Sequence, residues 1–244
     1  MYRKAGFRDK EGVLKNIRLL IFDFGGTLVR LYPSREDIIS DFLASKELSV
    51  GISEITKACR IVDHCKRQSS ISLKGEKAKE EFLLSINKEV FKVLGLYENA
   101  VHWSVELYNT FSQKKKWDVF EDTIPLLKEI EELGLAMAIL ANWDKNLESL
   151  VNTLSLNCYF SHVSSSEQLA IEKPDPRIFY TFMRTCSFSP DEALYIGNDY
   201  ELDAICARSA GVYPILIDRL EYWPYADCLR FKSLMELREY LKSI

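Results

Sequence analysis

Long apolar runs are missing from this 244-residue chain. No stretch approaches the ~20 consecutive apolar residues that a membrane-spanning helix needs, so we expect no membrane partner. The first 16 residues are polar and mixed in charge and lack the apolar core of a secretion signal, which favours a cytoplasmic location. The six cysteines form no C-x-x-C pair, so we expect free thiols rather than a disulfide framework.

An excess of positive charge is also missing. Lys and Arg number 32 against 36 Asp and Glu, which gives a net charge of −4. Nucleic-acid-binding domains favour a basic face, so we expect no nucleic-acid partner. The basic run Lys114 to Lys116 is short and is typical of an exposed helix end.

Two kinds of hydrophobic pattern divide the chain. From Leu126 onward, short apolar runs alternate with amphipathic helical segments, and the runs 136–140, 193–196 and 214–217 are typical of buried parallel strands. With a further apolar run at 19–22, this alternation predicts an α/β fold built on a doubly wound, mainly parallel sheet.

Between about Pro33 and Trp117, hydrophobic residues recur only at helical spacing. Four such stripes predict a helical bundle inserted after the first strand. We therefore expect a core domain of residues 1–32 and 118–244 and a helical cap domain of residues 33–117. Ligands bind outside the carboxyl ends of the strands in open α/β sheets, so an insertion at this point is expected to act as a lid.

An aspartate directly follows the first predicted strand. Asp23 begins the segment Asp-Phe-Gly-Gly-Thr, and an acid followed by a Gly-Gly turn presents a carboxylate at the edge of a sheet. An aspartate that only caps a turn is the alternative, and this segment alone does not decide between the two.

Polar groups follow three later segments in the same way. Asn142 ends a predicted strand, Lys173 lies between a predicted strand and a helix, and Asn198, Asp199 and Asp203 follow another strand. Each has an ordinary alternative as a turn residue, a surface lysine or a helix cap. Because the carboxyl ends of parallel strands converge on one crevice, the four segments together predict a single site.

The order and spacing of these segments resemble the motifs of the haloacid dehalogenase-like hydrolase superfamily. The similarity covers residues 17–31 and 117–219 and is closest at 120–144 and 164–179. It implies a Rossmann-like core, and the inserted helices look like the cap that the family places between its first and second motifs.

The resemblance also implies a phosphatase mechanism on a small phosphorylated substrate. Asp23 would attack phosphorus and form an aspartyl-phosphate. Lys173 would hold Asp23 and the phosphoryl group together, and Asp203 would orient Lys173 or a metal-bound water. The implied Mg²⁺ ligands are Asp23, the carbonyl of Gly25, and Asn198 or Asp199. The implied phosphate-binding residues are Gly25, Gly26, Asn142 and Lys173.

Three positions depart from the family pattern. Gly25 replaces an aspartate that protonates the leaving group, and such general acid–base help is worth roughly 10²–10⁴ in rate. Ala141 replaces a hydroxyl residue, which removes a hydrogen bond to phosphate worth about 1 kcal/mol. Asn198 replaces an aspartate, so we expect weaker Mg²⁺ binding.

These departures leave three interpretations open. The sequence favours an active phosphatase in which the substrate or a cap histidine, His64 or His102, supplies the missing acid. A carbon–halogen hydrolase is the second, although such members carry an aromatic residue where this chain has glycine. A non-catalytic binding protein is the third, and the retention of Asp23, Lys173 and Asp203 disfavours it.

Overall fold

The computed structural model describes residues 16–66, 76–114 and 116–242. The chain divides into two compact units, one formed by Met1–Arg30 with Asp118–Ile244 and the other by Leu31–Trp117. All the predicted site residues belong to the first unit. No helix within the described ranges is long and apolar enough to cross a membrane.

A parallel sheet forms the centre of the first unit. The strands of the described residues are β1 (Leu19–Phe22), β2 (Val29–Tyr32), β3 (Lys116–Val119), β4 (Ala136–Ala141), β5 (His162–Ser165), β6 (Ala193–Gly197), β7 (Tyr213–Ile217) and β8 (Leu229–Phe231). Six of them pair in the order β5-β4-β1-β6-β7-β8, and every pairing is parallel. The remaining two, β2 and β3, form a separate two-stranded sheet. The predicted α/β fold is therefore confirmed.

The central strand β1 is apolar throughout because both faces of the sheet are covered. Its four residues are buried, and Leu19 and Ile21 pack in one cluster with Phe179 and Phe182. Continuous apolar runs are expected of strands buried on both faces. The edge strands β5 and β8 were not predicted, because edge strands are only half-covered and lack such a run.

The helices of the first unit alternate with its strands or follow the last of them. They are α5 (Thr123–Glu132), α6 (Leu147–Thr153), α7 (Ser166–Leu169), α8 (Arg177–Cys186), α9 (Cys206–Ser209) and α10 (Leu234–Lys242). Residues Tyr200–Ile205 form a π-helical turn that precedes α9. π-Helical turns occur often at functional sites.

The second unit has a helical core of its own. Its helices are α1 (Arg35–Ser45), α2 (Ile52–Lys66), α3 (Glu76–Val93) and α4 (Ala100–Lys114). The rings of Phe42, Phe91 and Trp103 contact one another with centroids 5.8–6.0 Å apart. Trp103 is therefore a packing residue of this unit.

Candidate active site

The sheet order brings three of the predicted site segments to neighbouring strand ends. Asp23 follows β1, Asn142 follows β4 and Asn198 follows β6, and β1 lies between the other two strands. Since all three strands run parallel, these residues lie at the same edge of the sheet. The interpretation of each as an isolated turn residue does not account for this convergence.

Lys173 joins the segments through its ammonium group. Its Nζ donates to Asp23 Oδ1 at 2.7 Å and to Asp203 Oδ1 at 2.6 Å. The lysine side chain is only 2% exposed, and both carboxylates are buried with it. A buried ammonium is stable only with such partners. Lys173 is therefore not the surface lysine that its sequence context also allowed.

Burial and neighbouring charge act on these groups in opposite directions. Burial raises the pKa of Asp23 to about 6; the ammonium of Lys173 limits the rise, and the carboxylate of Asp203 adds to it. Burial alone would lower the pKa of Lys173, but the Asp203 and Asp23 carboxylates raise it well above its usual value. Lys173 therefore stays protonated, and both carboxylates pair with the same ammonium group.

Asp203 organises the turn that follows β6. Its Oδ2 accepts hydrogen bonds from the backbone N–H of Asn198 at 3.0 Å and of Asp199 at 2.9 Å. Gly197 makes this approach possible, because a Cβ there would overlap the Asp203 carboxyl group. Asp203 therefore connects this turn to Lys173.

Thr27 was not singled out from the sequence. Its Oγ1 lies 3.4 Å from Asp23 Oδ2 and 3.3 Å from Asn198 Oδ1, so one hydroxyl lies between the two oxygen atoms. Gly26 allows this arrangement, because its φ is +83° and a Cβ there would lie 2.6 Å from Asn198 Nδ2. The spacing of Thr27 from Asp23 was visible in the sequence, but its partner Asn198 was not.

Tyr195 was also missed. Lys173 Nζ donates to its hydroxyl oxygen at 2.6 Å, and that hydroxyl donates to the carbonyl of Leu140 at 2.8 Å. Burial raises the pKa of Tyr195 well above its usual value, so the phenol stays neutral. A tyrosine inside an apolar strand is ordinarily a core residue, and nothing in its spacing indicated a polar partner.

Two of the predicted phosphate-binding residues already have internal partners. Asn142 Nδ2 donates to the carbonyl of Lys173 and its Oδ1 accepts from the N–H of Lys173, both at 2.8 Å. The N–H of Gly26 donates to the carbonyl of Val29 at 2.7 Å. Asn142 thus holds the main chain of Lys173 in place.

The predicted metal ligands differ in what they can offer. Asp199 Oδ1 accepts from the N–H groups of Glu201 and Leu202 and so caps the π-helical turn. Asn198 instead directs its amide oxygen toward Thr27. Within the described part of the chain, no group of three or more His, Cys, Asp or Glu side chains is arranged to hold a metal ion. The oxygen donors that a metal ion could use here are the Asp23 carboxylate, the Asn198 amide oxygen and the Gly25 carbonyl.

Of the two histidines considered as substitute acids, the structure describes the side chain of His102 alone. His102 lies on α4 with its side chain 75% exposed, and its Nε2 lies 2.6 Å from Glu106 Oε1. The side chain of His64 lies outside the described residues.

Comparison with known proteins identifies the family. The haloacid dehalogenase-like hydrolase family matches residues 17–211, which is most of the chain. The chain belongs to this family. The prediction of a hydrolase of the superfamily is thereby confirmed.

Curated relatives align with this chain over different shares of its length. Haloacid dehalogenase-like hydrolase domain-containing protein 3 of Homo sapiens is 27% identical over 205 residues, 82% of each chain. Phosphoserine phosphatase of Thermus thermophilus is 35% identical over 113 residues, 45% of this chain and 44% of its own. The magnesium-bound HAD-hydrolase YfnB of Bacillus subtilis has the same fold, with a TM-score of 0.67 at 14% identity over 92% of this chain and 98% of its own.

Substituting the two carboxylates by amides should have opposite effects on stability. Because its pKa is raised, Asp23 contributes stability below pH 3.8 that is lost as pH rises through about 6. The amide of Asp23→Asn does not titrate, so this variant does not lose stability as the pH rises. Its free energy of unfolding should match that of the wild type near pH 4 and exceed it by on the order of 1–3 kcal/mol above pH 6. Denaturant unfolding in metal-free buffer across pH 4–8 measures this difference.

Asp203→Asn is the contrasting variant. The amide cannot serve both the Lys173 ammonium and the two backbone N–H groups as acceptor, so unfolding should become easier by about 2–4 kcal/mol at pH 7. Equal stability of the two variants at pH 7 would contradict the distinct roles assigned to the two acids.

Proposed function

We propose that the protein is a Mg²⁺-dependent phosphatase that hydrolyses a small phosphorylated metabolite through an aspartyl-phosphate at Asp23. The observation that carries the proposal is the buried ion-pair network in which Lys173 binds Asp23 Oδ1 and leaves Oδ2 facing Thr27. Relatives with phosphatase names support the same class of reaction.

The reaction uses the groups of this site in a fixed order. A carboxylate oxygen of Asp23 attacks phosphorus, the phosphorus–oxygen bond to the leaving group breaks, and the alkoxide leaves with the bonding electrons and takes a proton from water. Water then attacks phosphorus, the bond between phosphorus and the Asp23 oxygen breaks, and inorganic phosphate leaves while Asp23 returns to its carboxylate form. Lys173 keeps Asp23 oriented and places a positive charge beside the transferring group, while Asp203 and Asn142 hold Lys173 in place.

The oxygen donors of the site fit Mg²⁺. Because residue 198 is an asparagine and not an aspartate, these donors carry one negative charge fewer than a pair of carboxylates would. Asp23 Oδ2 and Asn198 Oδ1 both lie within 3.4 Å of the Thr27 hydroxyl, and the carbonyl of Gly25 belongs to the same loop. Mg²⁺ prefers oxygen ligands and commonly uses one or two carboxylates with substrate phosphate and water. When bound, the ion neutralises negative charge on the phosphoryl group.

The absence of an acid at Gly25 determines which substrates react fastest. Nothing at this position protonates the departing alcohol, so the rate should depend strongly on how well the leaving group carries negative charge. An aryl phosphate, whose phenolate is a good leaving group, should turn over at least about 10²-fold faster than an alkyl phosphate. Phosphate release from matched aryl and alkyl esters with Mg²⁺ measures this ratio.

Asp23→Asn is the control for that assay. The variant keeps the shape of the side chain but lacks the nucleophile, so phosphate release should fall to background. Equal rates in the wild type and Asp23→Asn would overturn the proposal. Release of halide from a 2-haloacid, with no release of phosphate from any ester, would support the carbon–halogen hydrolase instead.

Restoring an acid should raise activity on poor leaving groups. Gly25→Asp places a carboxyl group two residues after Asp23, and we expect turnover of alkyl phosphates to rise by about 10²-fold or more. Gly51→Asp is the matched control, since a Cβ at that position of the second unit meets nothing within 4 Å. No gain for Gly25→Asp over Gly51→Asp would mean that the missing acid does not limit the rate.

The charge of residue 198 should set the affinity for Mg²⁺. Asn198→Asp adds a carboxylate beside Asp23, so the dissociation constant for Mg²⁺ should fall roughly tenfold, because ligand charge tunes metal affinity. Calorimetric titration of the protein with Mg²⁺ measures it without any turnover. Asp199→Asn should leave the constant unchanged and lower the melting temperature, because Asp199 caps the π-helical turn. The reverse pattern would assign the metal to Asp199.

A further inference from the structure

All three hydrogens of the Lys173 ammonium are already donated. The acceptors are Asp203 Oδ1 and the Tyr195 hydroxyl at 2.6 Å and Asp23 Oδ1 at 2.7 Å. An ammonium has no fourth hydrogen to offer. For Lys173 to donate a hydrogen bond to a phosphoryl oxygen of the substrate, it must first release one of these acceptors.

The three acceptors differ in how strongly they hold the ammonium. Two are carboxylates, and hydrogen bonds between ionised partners are roughly twice as strong as neutral ones. Asp203 is further fixed by two backbone N–H groups, and Asp23 is the proposed nucleophile. Tyr195 carries no charge, since burial raises its pKa. The tyrosine is therefore the acceptor that Lys173 releases at the lowest cost.

Tyr195 is held in place without Lys173. Its hydroxyl hydrogen is donated to the carbonyl of Leu140, which leaves the oxygen as an acceptor toward the ammonium. Its ring packs edge to face against Phe179, with centroids 4.8 Å apart. Losing the bond to Lys173 therefore leaves the ring and the hydroxyl where they are.

We propose that Tyr195 is a positioning residue that accepts the third hydrogen of Lys173 in the free enzyme and gives it up to the phosphoryl group of the substrate. The inference rests on the proposed function of the same site. The hydroxyl keeps a buried N–H group satisfied between turnovers, and in doing so it competes with the phosphoryl oxygen for that N–H.

The competition predicts an unusual gain of affinity. Tyr195→Phe keeps the ring and removes the acceptor, so the free enzyme retains an unpaired buried N–H that phosphate binding satisfies. Leaving a buried donor unpaired is costly, and we expect the dissociation constant of inorganic phosphate to fall about tenfold. Calorimetric titration of the full chain with phosphate in Mg²⁺ buffer measures it. The constant for competitive inhibition of aryl phosphate hydrolysis should fall by the same factor.

A second tyrosine provides the matched control. Tyr180 lies on α8, and its hydroxyl donates to the carbonyl of Ser209 at 3.3 Å on the exposed surface. Tyr180→Phe removes the same atom away from Lys173 and should leave both constants unchanged.

The outcomes separate this inference from the proposed function. If the wild type binds phosphate and Tyr195→Phe binds it equally or more weakly, the role of Tyr195 is wrong and the phosphatase proposal stands. If the wild type does not bind phosphate at millimolar concentrations, the phosphatase proposal itself fails, and the inference fails with it. Should Tyr195→Phe not fold, Tyr195→Met replaces it in the same titration. Loss of folding in both variants would make the hydroxyl a purely structural group and overturn the inference.

Discussion

A lysine ammonium buried between two carboxylates is the interaction on which the rest of this site depends. Lys173 connects the loop after β1 to the turn after β6, through Asp23 on one side and Asp203 on the other. Removing Lys173 from this group would leave two buried carboxylates without a cation, which is strongly destabilising. The same contacts that stabilise the fold locally therefore also orient the proposed nucleophile.

None of the departures from the family pattern removes an ionised group of this network. Gly25, Ala141 and Asn198 differ from the family pattern, whereas Lys173 and its two acids are kept. In the proposed mechanism, the glycine at residue 25 affects protonation of the leaving group, and the amide at residue 198 affects the charge offered to Mg²⁺. Neither change removes Asp23 or its partner Lys173. The site therefore agrees better with a slow or selective hydrolase than with a non-catalytic binding protein.

Sequence reasoning selected the clustered groups that lie next to a strong local pattern. Asp23 was selected because it follows an apolar strand, and Lys173 because it lies in a family-like segment before a helix. Tyr195 and Thr27 were missed because their partners come from distant segments. Tyr195 lies within a buried strand, where a large aromatic side chain is ordinarily explained by packing alone. No feature of the neighbouring sequence indicates that its hydroxyl forms hydrogen bonds with Lys173 and Leu140.

The sequence by itself determined the parallel sheet and the edge at which the site forms, because apolar periodicity and the residues that end each strand are local properties. Only the tertiary structure decided which partner each polar group has. It showed that Asn142 binds the main chain of Lys173, that Asp199 caps a turn, and that Lys173 has no free hydrogen. A hydrogen bond forms only when donor and acceptor are placed to within a few tenths of an ångström. Asp23 and Lys173 are 150 residues apart in the chain, so only the folded structure sets the distance between them.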